Sequence, residues 1–448
     1  MHERFSFKGK DELLNKARQL GYDLPYTEDL SFLFLPLSLA PVTPQGGRQS
    51  EVPFAVPNRF VVQPMEGYDS LSDGGPSDLT RRRYLRYAGG GSGTIWYEAV
   101  AVSPGGRSNP GQLWINERNA SAFSLLNADI MQSAGRLNIK PLLVIQLTHS
   151  GRYSKPEMKP VPLVAAPNPV LDKTEPHLLT DMELGKIQDQ YIHAAKLSAD
   201  AGFNAIDVKA CHGYLMIELL AAKSRGESIY GGELPAERFR FMIETISRIR
   251  TSVPGIIITT RLNMSDCYEG GFGMDGSNKP DYSEALMLAG ELEKAGVSLV
   301  NLSMGSPYHN PHVTRPYDTP VPGTKVPEEH PLAGVMKMIE GTALFQKKFP
   351  AIRFVGSAYS WLRQYAPNVG AAVIKNGDAS LIGFGRNSFA YPSMPLDILK
   401  NGKADPSKVC ITCSGCTRLI RNFRPGGCVI RDKEIYGKEL KKLIADGK

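Results

Sequence analysis

The chain has 448 residues, 42% hydrophobic and 22% charged, which is ample for a large core and excludes overall disorder. The formal charge of +7 and pI near 8.9 are modest for this length, and the one tight basic run, Arg81-Arg82-Arg83, reads as a solvated helix face rather than a nucleic-acid patch, which needs many clustered phosphate contacts. Residues 1 to 16 carry no apolar signal segment and no apolar run approaches the ~20 residues of a membrane span, so the expectation is a soluble cytoplasmic protein that binds neither membrane nor nucleic acid.

Residues 1–50 form an N-terminal extension, with one helical stretch and a Pro-rich passage, expected to pack over one end of the main domain. From residue 51 to 400 short β-rich runs alternate with amphipathic helical stretches. The predicted strands are Arg59 to Gln63, Gly93 to Val102, Pro141 to Leu147, Ala205 to Ala210, Gly255 to Leu262, Leu299 to Ser303, Arg353 to Gly356 and Ser380 to Phe384. Runs such as LLVIQL are apolar throughout, as parallel strands buried on both faces should be. Thr180 is placed to cap a helix from Asp181 that ends at Gly202, and a helix from Glu284 ends at Gly296 in the same way. Eight strand–helix units predict a (β/α)8 TIM barrel, with an open doubly wound sheet as the alternative. Residues 401–448 add a cysteine-rich segment and a charged terminal helix.

In such a barrel the chemistry sits where the chain leaves each strand. Gly356-Ser357 and the GFGR of residues 383–386 come after the last two strands, where glycine lets backbone N–H groups approach a phosphate and Arg386 adds a charged fork; simple turn formation is the other reading. Lys209, His212 and Tyr214 leave the fourth strand together and could polarise a carbonyl and supply a proton, or else serve as structural hydrogen-bonding groups.

NRFVVQPM, EAVAVSPGGRSNPGQLWI, QLTHSGRYS, CHGYLMIELL and RLNMSD, in that order, resemble the old yellow enzyme and 2,4-dienoyl-CoA reductase family over about residues 50 to 430. The resemblance implies FMN, held near Pro64, Met65 and Glu66 and by Ala99, Gln146 and Arg261, with its phosphate at Gly356, Ser357, Gly385 and Arg386. It implies hydride transfer from reduced flavin to the β-carbon of an α,β-unsaturated carbonyl compound. Tyr214 matches the family's proton donor, Lys209 and His212 stand where a pair usually binds the substrate oxygen, and His309 resembles a histidine after strand six, with His312 close by. Two positions depart from the pattern: Lys209, and Glu66-Gly67, where the family often places Cys or Thr beside the flavin.

Four of the six cysteines, Cys410, Cys413, Cys416 and Cys428, crowd into the tail with spacing C-x2-C-x2-C-x11-C. This resembles a family motif one residue longer and implies a [4Fe–4S] cluster, with zinc or unligated thiols as alternatives. No dinucleotide-binding GxGxxG unit comes after it, so electrons are expected from free NAD(P)H or from a separate donor protein; a homo-oligomer is compatible with the chain. Oxidative amine demethylation and non-catalytic electron transfer are the rival functions.

Overall fold

The computed structural model describes residues 2–39, 53–168, 170–172 and 175–447. At its centre is a closed barrel of parallel strands. These are β1 (Phe60–Val62), β2 (Thr94–Ala101), β3 (Leu142–Thr148), β4 (Ala205–Val208), β5 (Ile257–Asn263), β6 (Leu299–Ser303), β7 (Arg353–Gly356) and β8 (Leu381–Phe384). They neighbour one another in chain order, and β8 closes on β1 with Ile382, Gly383 and Phe384 opposite Phe60, Val61 and Val62. Every strand begins and ends within two residues of its sequence-predicted span, and closure rules out the doubly wound alternative. All of Leu142–Thr148 is buried, because the barrel interior covers one face and the helices the other.

The helices start and stop where their chemistry dictates. Thr180 and Glu183 cap Asp181–Asp200 reciprocally. That helix and Ser283–Lys294 are followed by Gly202 and Gly296 at φ of +87° and +76°, a left-handed backbone that glycine adopts without strain. No helix of the described residues is long and apolar enough to cross a membrane.

Two parts of the N-terminal extension go to different places. A hairpin of Leu37–Leu39 with Phe54–Val56 sets Leu37, Leu39 and Val56 against Leu142, Ala205, Ile257 and Leu381 at the starts of the strands, plugging that end of the barrel. The helix Lys10–Gln19 packs instead on the flank, with Leu13 and Ala17 in one core with Trp361 and Val369. The expected boundary between residues 50 and 51 lies outside the described residues.

The arginine run corrects the sequence reading. Arg81 and Arg82 pair at the surface with Asp129 and Asp432, but Arg83 is 4% exposed and pairs with both Asp69 and Glu98. Helical spacing turns it inward beside Thr80, Tyr84 and Tyr87. Burial pushes the Glu98 carboxyl up to about 7, against the attraction of Arg83. Glu98 also accepts the Gly67 N–H at 2.7 Å, so this buried ion network anchors the loop that leaves β1.

Candidate functional site

With one end plugged, the C-terminal ends of the strands open into a cleft of about 1160 Å³, counting its open mouth. Pro64, Met65 and Glu66 enter it after β1, Ala99 from β2, Gln146 from β3, and Lys209, His212 and Tyr214 after β4. Arg261 comes from β5, Ser357 from just beyond β7, and Gly385 and Arg386 from beyond β8. Neither Gly356 nor His309 lines the cleft. Gly356 closes β7 beneath it, where a Cβ would come within 2.6 Å of the Tyr359 hydroxyl. His309 packs edge-on to Tyr268 with ring centroids 5.1 Å apart, and its neighbour Tyr308 faces the cleft instead. His312 lies in the short helix Pro311–Thr314, also outside the lining.

The floor is organised by a residue that the sequence reading missed. Asp207 in β4 is fully buried and accepts from Gln146 Nε2 at 2.6 Å, from Trp96 Nε1 at 2.8 Å and from the Arg261 backbone N–H at 2.7 Å. It thereby orients the Gln146 amide with its nitrogen toward Asp207 and fixes the chain that carries Arg261. A lone acid inside the apolar run AIDV was the available signal. Burial pushes the Asp207 carboxyl up to about 6 from its ordinary 3.8, against those three donors. The folded chain therefore holds this proton more tightly than the unfolded chain. Its stabilising contribution is complete below the ordinary value and is lost as pH rises through about 6. Calorimetric melting of Asp207→Asn is expected to show a smaller fall in Tm over that interval than the wild type shows.

The far end of the cleft is strongly positive. Arg386 is 4% exposed and donates from Nη2 to Pro316 O at 2.6 Å, while its Nη1 has no partner. Arg315 also leaves Nη1 unpartnered, and burial, then Arg386 and Arg421, pushes its guanidinium down to about 10. A Cβ on Gly385 would come 2.9 Å from Met65 Sδ, a contact the flexible Met65 side chain can relieve by shifting. Repelling guanidiniums with unpartnered N–H groups beside Gly385 suit a phosphate, and the residues present fit FMN.

Between these ends lies a buried phenol. Tyr214 is 1% exposed, and its hydroxyl donates to Glu66 Oε1 at 3.0 Å and lies 3.1 Å from the Tyr308 hydroxyl. Lys209 Nζ sits 3.5 Å from the centre of the Tyr214 ring. His212, at φ +65°, bonds through Nε2 to Ser303 Oγ at 2.8 Å. Burial, then Arg261 and Lys209, pushes this imidazole well below its usual value and keeps it neutral.

Part of the cleft wall comes from the tail. The helix Gly415–Arg421 contributes Thr417, Ile420 and Arg421, and Arg421 donates to Pro307 O at 3.0 Å. Behind it, Cys410, Cys413, Cys416 and Cys428 line a small cavity that Arg386 also borders. Thr412 and Arg431 donate backbone N–H groups to Cys410 and Cys428 Sγ, each at 3.3 Å. Among the described residues, however, no three or more His, Cys, Asp or Glu groups are arranged to hold a metal ion. The thiols converge without forming the expected ligand set, so a cluster does not fit them as they stand.

The sequence model of a family described as NADH:flavin oxidoreductase / NADH oxidase family matches residues 53–335. An NADH oxidase of Thermoanaerobacter brockii is 28% identical over 376 residues, 82% of this chain and 52% of that one. An NADPH dehydrogenase of Bacillus subtilis is 27% identical over 257 residues, 56% of this chain and 70% of the relative. The chain thus spans about half the length of the Thermoanaerobacter protein. Among solved structures, a 2-naphthoyl-CoA reductase complex superposes with a TM-score of 0.72 at 18% identity, covering 92% of this chain and 58% of that one; this likeness speaks to the fold alone.

Proposed function

Because the chain belongs to the NADH:flavin oxidoreductase / NADH oxidase family, we propose that it is an FMN-dependent ene-reductase acting on an α,β-unsaturated carbonyl compound. The observation that carries this reading is a buried phenol, Tyr214, lining the same cleft as the Asp207-organised Gln146 and Arg261. FMN would be held by Gln146 and Arg261 at its ring and by Ser357, Gly385, Arg386 and Arg315 at its phosphate, and when bound and reduced it supplies the hydride. Tyr214 gives a proton to the substrate's α-carbon. Neutral His212 donates a hydrogen bond to the carbonyl oxygen, and Lys209 offsets negative charge from above the Tyr214 ring. NAD(P)H or a separate electron carrier would reload the flavin.

The charges lining the cleft, five cations (Lys209, Arg261, Arg315, Arg386 and Arg421) against the carboxylate of Glu66, favour an anionic or neutral ligand and weigh against amine oxidation. The cysteines take no part in these steps. Iron, zinc and labile-sulfide analysis of anaerobically purified protein decides between [4Fe–4S], zinc and free thiols.

Reconstituted protein is expected to bind one FMN per chain, to be reduced by NADH or NADPH, and to convert 2-cyclohexenone to the saturated ketone. Anaerobic absorbance and product analysis check this. A reduced flavin that no enone reoxidises leaves the electron-transfer reading in its place.

A further inference from the structure

We propose that Glu66 stores and returns the proton that Tyr214 delivers, acting through the phenol and not on the substrate; this deepens the reading above and rests on it. Glu66 Oε1 lies 3.0 Å from the Tyr214 hydroxyl, inside the same cleft. Tyr214 is sealed from solvent, whereas Glu66 is only half-buried. The carboxylate therefore bridges an inaccessible acid and the water outside.

The need for such a group arises from charge. If Tyr214 gave up its proton unaided, a buried phenolate would be left about 3 Å from a carboxylate, and two like charges that close disfavour each other strongly. Burial first, then Glu66, already holds the phenol well above its usual value, so phenolate has no stable place here. A coupled transfer avoids it, provided that Glu66 carries a proton and its hydroxyl turns to donate to the Tyr214 oxygen, the reverse of the hydrogen bond seen here. The Tyr214 O–H bond breaks as a C–H bond forms at the substrate's α-carbon, and the Glu66 O–H bond breaks as the Tyr214 O–H bond re-forms. No electrons change hands in this step. The negative charge ends on Glu66, which recovers a proton from water.

The groups that face Glu66 set the conditions for this. Tyr214 and Tyr308 meet at the carboxylate end. Lys209 lies over the Tyr214 ring, and the Arg83–Glu98 pair stands behind Gly67. The acid form is the one that delivers, so enone reduction falls as pH rises. The same contact turns the Glu66 carboxyl toward the phenol.

The test uses the full FMN-loaded chain, reduced anaerobically and mixed with 2-cyclohexenone or with ferricyanide, which takes electrons without needing a carbon-bound proton. In Glu66→Gln the ratio of enone to ferricyanide rates is expected to fall at least about tenfold and to lose its pH dependence. Glu66→Asp, which keeps a titratable group, is expected to retain the pH dependence. A wild-type ratio and pH profile in Glu66→Gln, or a larger loss in Tyr308→Phe than in Glu66→Gln, overturns the proposal. Infrared difference spectra between acid and alkaline pH add a readout that needs no turnover. A carboxylic-acid band that disappears in Glu66→Gln and is displaced in Tyr214→Phe is expected, and a band indifferent to Tyr214→Phe overturns the pairing. If wild-type enzyme reduces no enone, the ene-reductase reading fails, and the infrared result alone decides the Glu66–Tyr214 pair.

Discussion

Replacing Tyr214 with Phe is expected to slow reoxidation of the reduced flavin by an enone by about 10²–10⁴-fold, the range typical of general acid catalysis. Hydride arrival at the β-carbon demands a proton at the α-carbon, and among the described residues that line the cleft Tyr214 is the buried phenol. Reduction of the flavin by its donor needs no such proton and changes far less. His212→Ala is expected to differ in kind: on the proposed reading it removes a hydrogen bond to the carbonyl oxygen and so raises KM as well as lowering kcat. Rapid mixing of the two half-reactions separates these outcomes. If Tyr214→Phe reoxidises at the wild-type rate, the proton comes from elsewhere in the cleft.

The second large effect lies in the support of the site. Arg83→Leu leaves Asp69 and Glu98 buried, at 8% and 1% exposure, with no cation between them. Removing one partner of a buried ion pair typically costs about 3–5 kcal/mol, measured here by denaturant unfolding. The same charges set the sign of the pH dependence. Without Arg83 the Glu98 carboxyl is raised further in the folded chain, so the loss is greatest at alkaline pH and shrinks as acid neutralises it. Adding Asp69→Asn and Glu98→Gln to Arg83→Leu recovers part of it at neutral pH. Because Glu98 holds the Gly67 N–H, the single variant also loosens the chain that carries Glu66.

The barrel was legible because buried parallel strands advertise themselves as apolar runs, and LLVIQL and IIITTRL could be little else. Most of the cleft was legible for a simple geometric reason: residues at strand ends must face it. The residues that escape a sequence reading do so for equally physical causes. Arg83 looks like the middle of a charged face, yet Thr80, Arg83, Tyr84 and Tyr87 share one side of the helix, and that periodicity is readable. Asp207 sits in plain view within a strand. Tyr308 and Arg315 reach the cleft from the loop after β6, where no repeating geometry tells adjacent residues apart, so sequence alone favours His309 over its neighbour. Arg421 enters from a segment more than a hundred residues farther along, and nothing local announces its arrival.

The tail helix Gly415–Arg421 gives the cleft three wall residues, and Asp432, a little farther on, is gripped by Arg82 and Arg86 of the helix Asp78–Ala88. Gly426 N–H also donates to Gly67 O, joining the tail to the loop that bears Glu66. The tail is therefore not a detachable module. Truncating it would unroof the cleft rather than trim an appendage. Replacing it would exchange wall, clamp and thiols at once, so the shape of the cleft and the chemistry of the cysteines are bound to change together.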